Sequence, residues 1–474
     1  IQGARNIAQK GVEALLNESE SYKGRDVNEF LSNLIVASDL IAGARATEPM
    51  LRNFLQHIIS KLTSSNKNSV KDMKKIVCLS MSILFLCVSQ LYAGGPLNTF
   101  NGRAMVYRNL PVKFHVDQTD LGLFSNEQAV ALTREGFQVW EDVETATIYF
   151  QPGVLPEPVT VSNYSKYLDN HNDGYSPIVF DTDGAIIEAE YGAGSSNNIM
   201  GFAGSAFNPQ TGYYQEGLAV LNGKFTYLGY EAFKGTFVHE FGHFIGLDHS
   251  QINIGYARDG DPATDIYVPT MYPQSVTDDS VLAVLHPDDK AALTMLYPAS
   301  NAMSVYGKIQ GKVLWEDREP VLGANVVVIN LADPDMLRFS SVSDYYEQDT
   351  GFFEMLVLPG SYRIGIEPVD SQFFAGSRVG PYAMTPLDIS FAHPVKTTLY
   401  ADTIEISAGE TKAYTLIAEG NNPLITAPAI KPIPGRTILT GTSYTETPEL
   451  LQGSAAAWSL VAGPSGMTIN TTTG

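Results

Sequence analysis

The segment His239–Ser250 constrains this chain more than any other. It reads HEFGHFIGLDHS and holds three of the eight histidines of the chain. His239 and His243 are four residues apart, so on a helix their side chains lie on one face, one turn apart. Gly246 can adopt positive φ, which ends a helix and turns the chain back sharply. His249 follows three residues later and can then return to the other two histidines.

This spacing predicts a zinc site. Two imidazoles one turn apart reach a single Zn2+ at roughly 2.0–2.1 Å, and His249 supplies a third ligand while a fourth position stays open for water and substrate. Glu240 follows the first ligand and projects near the metal without having to bind it. It is therefore the candidate general base that takes a proton from water at the metal. A core helix with incidental histidines is the alternative, but this combination of fixed positions is rare by chance.

The pattern H-E-x-x-H-x-x-G-x-x-H resembles the signature of the metzincin metalloproteases. Ser250 after the last histidine and the segment Val268–Pro273, VPTMYP, are most similar to the matrixin branch. The resemblance covers about residues 106–298. It implies an α+β catalytic domain with a twisted mixed sheet and an active-site helix. It also implies a methionine turn, in which Met271 packs beneath the histidines without binding zinc.

The same resemblance assigns Asn197–Pro209, NNIMGFAGSAFNP, to the edge strand before the active-site helix. In the family an extended protein or peptide substrate adds to this edge through backbone hydrogen bonds. An ordinary buried strand is the alternative. Two features depart from the matrixins. No prodomain cysteine that could hold the enzyme latent is present, and only His115 and His171 precede the motif in the catalytic region, which argues against a second, structural zinc.

A loop rich in aspartate, asparagine and glycine precedes this edge strand. It contains Asp173, Asp181 and Asp183, and carboxylate oxygens on a turn suit Ca2+. The same residue types are common in surface turns for conformational reasons alone. Because the loop has no fixed ligand spacing, we favour the turn and keep a calcium site at these three aspartates as the alternative.

Strand and helix patterns alternate over residues 94–300, the predicted catalytic domain. Pro111–Asp117 has the apolar pattern of a strand. Ser125–Val143 is predicted to be a helix, because Ser125 can cap it and apolar residues recur at helical spacing. His286–Pro298 is predicted to be a closing helix with acidic residues in its first turn.

Two all-β regions are predicted downstream. Residues 304–419 resemble the carboxypeptidase regulatory-like domain, a transthyretin-type β-sandwich. The marks are PVLGANV at Pro320–Val326, Gly351, and LPGSYRI at Leu358–Ile364. Residues 420–474 resemble part of a bacterial Ig-like repeat of the kind found in secreted and surface proteins. Such modules act as spacers or adhesion units, which implies contact with a cell surface or extracellular matrix.

An apolar stretch that begins at Met73 contains the only two cysteines. Two lysines follow Met73, then an apolar run, then small residues that end at Ala93, which is the three-part layout of a secretory signal peptide. Residues 73–93 are therefore predicted to be a signal peptide, with a buried helix or membrane anchor as the alternative. Cleavage after Ala93 leaves a mature protein without stable membrane insertion. Residues 1–72 are interpreted as an upstream segment foreign to the mature product, or else as a helical prodomain.

The chain has 51 acidic and 30 basic residues and a formal net charge of −21, which argues against nucleic acid or an anionic membrane as the main partner. The sequence as a whole predicts a multidomain bacterial zinc metalloendopeptidase that is secreted, either released or attached to the cell surface. Two alternatives stay open. One is a surface adhesion or carbohydrate-binding protein with a vestigial metzincin domain, against which the intact Glu240 argues. The other is a zinc hydrolase that acts on something other than peptides.

Overall fold

The computed structural model describes residues 95–346, 350–369 and 395–420, and the two short strands Ala429–Ile430 and Leu450–Gln452. The predicted signal peptide at 73–93 and the upstream segment 1–72 lie outside the described residues, as does nearly all of 420–474. Within the described part of the chain, no helix is both long enough and apolar enough to span a membrane.

The described residues form a mixed α+β structure. Its α-helices are α1 (Asn126–Glu141), α2 (Ser165–Leu168), α3 (Ala185–Tyr191), α4 (Tyr230–Phe244), α5 (Ile254–Ala257), α6 (Pro287–Leu296) and α7 (Ala302–Val305). Short 3-10 helices lie at Ser195–Asn197, Gly223–Leu228, Asp265–Tyr267 and Asp279–Ala283. The strands are β1 (Thr99–Phe100), β2 (Arg103–Ala104), β3 (Val112–Val116), β4 (Phe150–Val154), β5 (Pro177–Asp181), β6 (Gly201–Phe207), β7 (Tyr214–Asn222), β8 (Gly307–Leu314), β9 (Ala324–Asn330), β10 (Arg338–Val342), β11 (Phe352–Val357), β12 (Gly360–Pro368), β13 (Thr398–Ile406), β14 (Thr411–Ile417), β15 (Ala429–Ile430) and β16 (Leu450–Gln452).

Strands β3 to β7 form one sheet in the order β4-β3-β5-β7-β6. The first four strands run parallel, and β6 pairs antiparallel with β7 at one edge. Every residue of the central strand β5 is buried, as expected for a parallel strand that is covered on both faces. The strand predicted over Pro111–Asp117 is β3, which is one residue shorter at each end.

Helices α1 and α4 pack against each other and share a buried core with this sheet. Phe137 of α1 stacks on Phe241 of α4 with ring centroids 3.8 Å apart, and the indole N–H of Trp140 donates to the Val238 carbonyl at 2.8 Å. Ser125 caps α1 in a capping box with the residue three positions further on. Burial of each large apolar side chain stabilises a fold by roughly 1.5–3 kcal/mol, so these contacts hold α4 firmly in place.

Strands β8 to β14 form two further sheets, both within residues 304–419, for which a β-sandwich is predicted. One sheet has the order β10-β9-β12-β13, and the other has the order β11-β8-β14. Both contribute to one buried cluster, which includes Val313 of β8, Val328 of β9 and Ile364 of β12. We call this part of the chain, from β8 to β14, the β-sandwich region.

The β-sandwich region contacts the part of the chain that precedes it. Helix α6 packs against β10 and β11, and Asp288 in the first turn of α6 accepts a hydrogen bond from the Ser340 backbone N–H at 3.0 Å. Apolar side chains also cross this contact, since Tyr272 lies in a buried cluster with Val342 and Tyr345. Tyr272 directly follows Met271, so the contact lies next to the predicted methionine turn.

Gly351 directly precedes β11, as predicted from the sequence. Its backbone conformation allows a test of the fold. It has φ +67°, which L side chains rarely adopt, and a Cβ there would overlap the carbonyl oxygen of Val313. We expect Gly351→Ala to lower the free energy of unfolding by more than about 2 kcal/mol, because backbone strain and steric overlap both act. Urea denaturation followed by circular dichroism measures the loss.

Gly260→Ala is the matched control for this substitution. Gly260 has a similar φ of +75°, but the space where a Cβ would lie is open. Only the backbone cost of roughly 1 kcal/mol should then appear. Equal losses in the two variants would show that the overlap with Val313 contributes nothing.

Candidate metal centre

The three histidines of the motif converge on one point. Helix α4 carries His239 and His243 on one face, and it ends at Phe244. Gly246 follows with φ +98°, and the chain turns there so that His249 returns to the other two. The Nε2 atoms of these histidines lie 3.0, 3.1 and 3.3 Å from one another. In the part of the chain that the structure describes, no other group of histidine, cysteine or acidic side chains converges in this way.

This geometry fits a tetrahedral zinc ion. Ligands bound at roughly 2.0–2.1 Å with tetrahedral angles lie about 3.3 Å from one another. Ring nitrogens that face each other at this distance leave no room for three protons, and their lone pairs repel unless a cation lies between them. His239 is partly exposed, so the site reaches solvent on one side. Three imidazole nitrogens are a donor set that suits zinc.

Backbone carbonyls orient the two helical imidazoles. His239 Nδ1 lies 2.7 Å from the Thr270 carbonyl oxygen, and His243 Nδ1 lies 2.8 Å from that of Leu247. A carbonyl oxygen only accepts, so each Nδ1 donates its proton and leaves the Nε2 lone pair for a metal. Burial lowers the pKa of His239 to about 4, while the Thr270 carbonyl acts in the opposite sense. The ring is therefore neutral and able to bind a metal at pH 7.

Glu240 is buried beside the histidines. Its Oε2 has no hydrogen-bond partner among the described residues, and burial raises the pKa of its carboxyl to about 8. The start of edge strand β6 lies against it, because a Cβ at Gly201 would be 3.0 Å from Glu240 Cγ. A buried carboxylate without a partner is costly, so this group is poised to take up a proton or to bind a ligand.

Met271 packs against α4 at Gly242, the residue before His243. It is buried, and a side chain at Gly242 would overlap its sulfur. Its carbonyl oxygen accepts a hydrogen bond from the Ser250 backbone N–H at 2.8 Å. The turn that contains Met271 therefore packs against α4. It also holds Ser250, the residue that follows the third histidine.

Two adjacent aspartates in the first turn of α6 hold this arrangement. Asp289 accepts hydrogen bonds from the backbone N–H groups of Thr270 and Met271 at 2.8 and 3.2 Å. Asp288 accepts a hydrogen bond from the Ser250 hydroxyl at 2.5 Å. Burial raises the pKa of Asp288 to about 7 and that of Asp289 to about 6. Both side chains are buried, so they act through their hydrogen bonds.

Sequence reasoning missed several of these supporting residues. The sequence pattern predicts only that the aspartates of α6 favour the start of a helix, and it assigns no role to Gly201 or Gly242. Gly242 occupies a variable position of the motif, and its need for a small residue shows only when Met271 is in place. One sequence feature could have indicated these contacts. Asp288 and Asp289 are adjacent, and a helix start needs only one acidic residue.

The three aspartates considered for calcium serve a local purpose in the structure. Asp173, Asp181 and Asp183 each accept hydrogen bonds from backbone N–H groups within six residues of themselves. Side chains of this type stabilise turns and helix starts in this way. Within the described residues they are not part of a converging ligand cluster.

Residues 186–309 match the model of a metallopeptidase family, peptidase M43, described as pregnancy-associated plasma protein-A. The matched region is about a quarter of the chain, and it contains α4, the three histidines and Met271. No curated protein matches the chain. Among solved structures, the Bacillus anthracis TIE protein is similar at 16% identity, over 27% of this chain and 21% of that chain, with a TM-score of 0.15. The chain thus spans about a fifth of that protein, and so low a score carries no argument.

The family match and the converging histidines together support the interpretation of residues 186–309 as a zinc-protease region of metzincin type. The matched family is not the matrixin family, so the comparison supports the metzincin level of the prediction without supporting the matrixin branch. Nothing in it favours adhesion as the main activity.

His243 tests the metal centre, because its Nε2 lies within 3.1 Å of the other two. We expect His243→Ala to abolish stoichiometric zinc binding. Inductively coupled plasma mass spectrometry after dialysis measures the zinc content per chain. Because a ligand of the folded state stabilises it, a chelator should lower the Tm of the natural chain and leave that of the variant unchanged. His171→Ala is the control, since His171 lies outside the cluster. Full zinc content in His243→Ala would contradict the assignment.

Proposed function

We propose that this chain is a secreted zinc-dependent metalloendopeptidase that hydrolyses peptide bonds in protein or peptide substrates. The observation that carries the proposal is the buried Glu240 carboxylate beside three converging imidazoles. The match of residues 186–309 to a metallopeptidase family supports it. Secretion rests on the signal-peptide pattern at 73–93 alone. Within the metzincins, Ser250 and the MYP turn around Met271 are the features that favour the matrixin branch.

The acid–base chemistry belongs to Glu240. Zinc, when bound by His239, His243 and His249, would supply Lewis-acid polarisation of the scissile carbonyl and a lowered pKa for water. Glu240 takes the proton from the attacking water and passes it to the leaving amine. Glu240 Oε2 has no hydrogen-bond partner among the described residues, so it is free to accept a proton and to return it. That property is what an acid–base catalyst needs.

Edge strand β6 is the proposed substrate-binding element. Within the described residues it pairs with β7 on one side only, and it packs against α4. An extended peptide that added to its other side would run past Gly201 and therefore past Glu240. Pairing of this kind uses backbone hydrogen bonds, so it accepts peptides of varied sequence.

Glu240→Gln tests the proposed activity. We expect the substitution to lower kcat on an unfolded protein substrate by about 10²- to 10⁴-fold, because the amide cannot take up the proton. Zinc content should be unchanged, since Glu240 is not a ligand. Release of fluorescent peptides from a labelled, unfolded substrate measures the rate.

Glu231→Gln is the control for this test. Glu231 lies in the first turn of the same helix and is exposed, so its loss should leave kcat unchanged. A folded, zinc-loaded Glu240→Gln chain with full activity would exclude Glu240 as the base. If the natural chain is zinc-loaded but inert on diverse unfolded proteins, the protease assignment fails, and adhesion or carbohydrate binding becomes the leading alternative.

A further inference from the structure

A buried chain of hydrogen bonds connects the β-sandwich region to the residue after the third histidine. The Ser250 hydroxyl donates to Asp288 Oδ2 at 2.5 Å. The other oxygen, Asp288 Oδ1, accepts from the backbone N–H of Ser340 in β10 at 3.0 Å. Ser250, Asp288 and Ser340 are 1%, 3% and 2% exposed. Because water does not compete for these hydrogen bonds and one partner is a carboxyl group, they are stronger than exposed ones.

Ser340 can make this contact because β10 is an edge strand. Within the described residues β10 pairs with β9 on one side only, so alternate backbone N–H groups of β10 point away from the sheet. The N–H of Ser340 points towards α6 and is satisfied there by Asp288. One carboxyl group thus joins an edge of the β-sandwich region to the segment that carries the third histidine.

The same carboxyl pair supports the rest of the metal centre. Asp289, next to Asp288, accepts from the backbone N–H groups of Thr270 and Met271. The Thr270 carbonyl in turn accepts from His239 Nδ1 at 2.7 Å. The first turn of α6 therefore reaches the metal centre by two routes, one through Thr270 and one through Ser250. Only the second route includes the β-sandwich region.

Other hydrogen bonds across the contact do not reach the metal centre. The Tyr256 hydroxyl donates to Asp335 Oδ1 at 2.6 Å, and the Asn253 side chain donates to the Asp335 carbonyl oxygen at 2.8 Å. These residues hold α5 and its flank against the β-sandwich region. They provide a comparison in which the two regions lose a contact but Asp288 keeps both of its hydrogen bonds.

We propose that Asp288 is a positioning residue that couples docking of the β-sandwich region to the metal centre. The docked β10 supplies the N–H that orients the Asp288 carboxyl, and the oriented carboxyl holds Ser250 and, with it, His249. The inference rests on the proposed function, because it assumes that the three histidines bind zinc. On this proposal the β-sandwich region helps to position a metal ligand and is not only a spacer.

The test measures zinc affinity on the full chain by competition with a chromophoric chelator. Asp288→Asn replaces one acceptor oxygen with an amide donor, so it cannot accept from both Ser340 and Ser250. We expect this substitution and Ser250→Ala each to lower zinc affinity by about 10- to 100-fold, the usual cost of losing a group that orients a ligand. The double variant should lose no more than the larger single loss, because both act through one route. The Co2+-substituted chains should show shifted visible absorption bands, which loss of global stability alone would not cause.

Tyr256→Phe is the matched control, since it removes a hydrogen bond across the same contact but not one to Asp288. It should leave zinc affinity and the Co2+ spectrum unchanged. Folded Asp288→Asn and Ser250→Ala chains with unaltered affinity and spectra would overturn the inference, as would an equal loss in Tyr256→Phe. If Asp288→Asn does not fold, the milder Ser250→Ala decides by the same measurements. A natural chain that binds no zinc overturns the proposed function as well, whereas unchanged variants of a zinc-binding chain overturn only the coupling.

Discussion

Three imidazole nitrogens that face one another at 3.0–3.3 Å are the constraint on which the rest of the site depends. Their lone pairs repel until a cation neutralises them, so other contacts must hold the rings. The helical repeat supplies two of the rings, and the turn at Gly246 supplies the third. The carbonyls of Thr270 and Leu247 keep two of them in the metal-binding tautomer. Packing of α4 on α1 makes this arrangement rigid.

The carboxyl groups at the start of α6 hold two loop segments of the metal centre in place. One loop contains Ser250, and the other contains Thr270 and Met271. Burial of a carboxylate is costly unless its oxygens accept hydrogen bonds. Asp289 obtains its donors from the methionine turn, and Asp288 obtains one from Ser250 and one from Ser340. The positive end of the α6 dipole favours both charges. Since one donor comes from β10, the metal centre and the β-sandwich region are physically linked.

Sequence reasoning succeeded where short-range backbone geometry sets the outcome. Local pattern predicted the cap at Ser125 and the position of β3 to within one residue at each end, and it also predicted that the histidines converge. Sequence reasoning was less informative where a few residues had to distinguish one metalloprotease family from a related one. Ser250 and the MYP turn suggested matrixins, while the longer match is to a different metallopeptidase family. The three histidines are common to all metzincins because they bind the metal, so only the few residues around them can distinguish one branch from another.

The sequence by itself predicted that His239, Glu240 and His243 lie on one helix, because they fit one helical period, and that the chain turns at Gly246 to bring back His249. Only the tertiary structure decided that Gly201 meets Glu240 and that Asp288 meets Ser250 and Ser340. The two contacts of Asp288 join residues 38 and 52 positions apart. No local period encodes which loops meet at such separations, since that depends on how whole elements pack around a shared core.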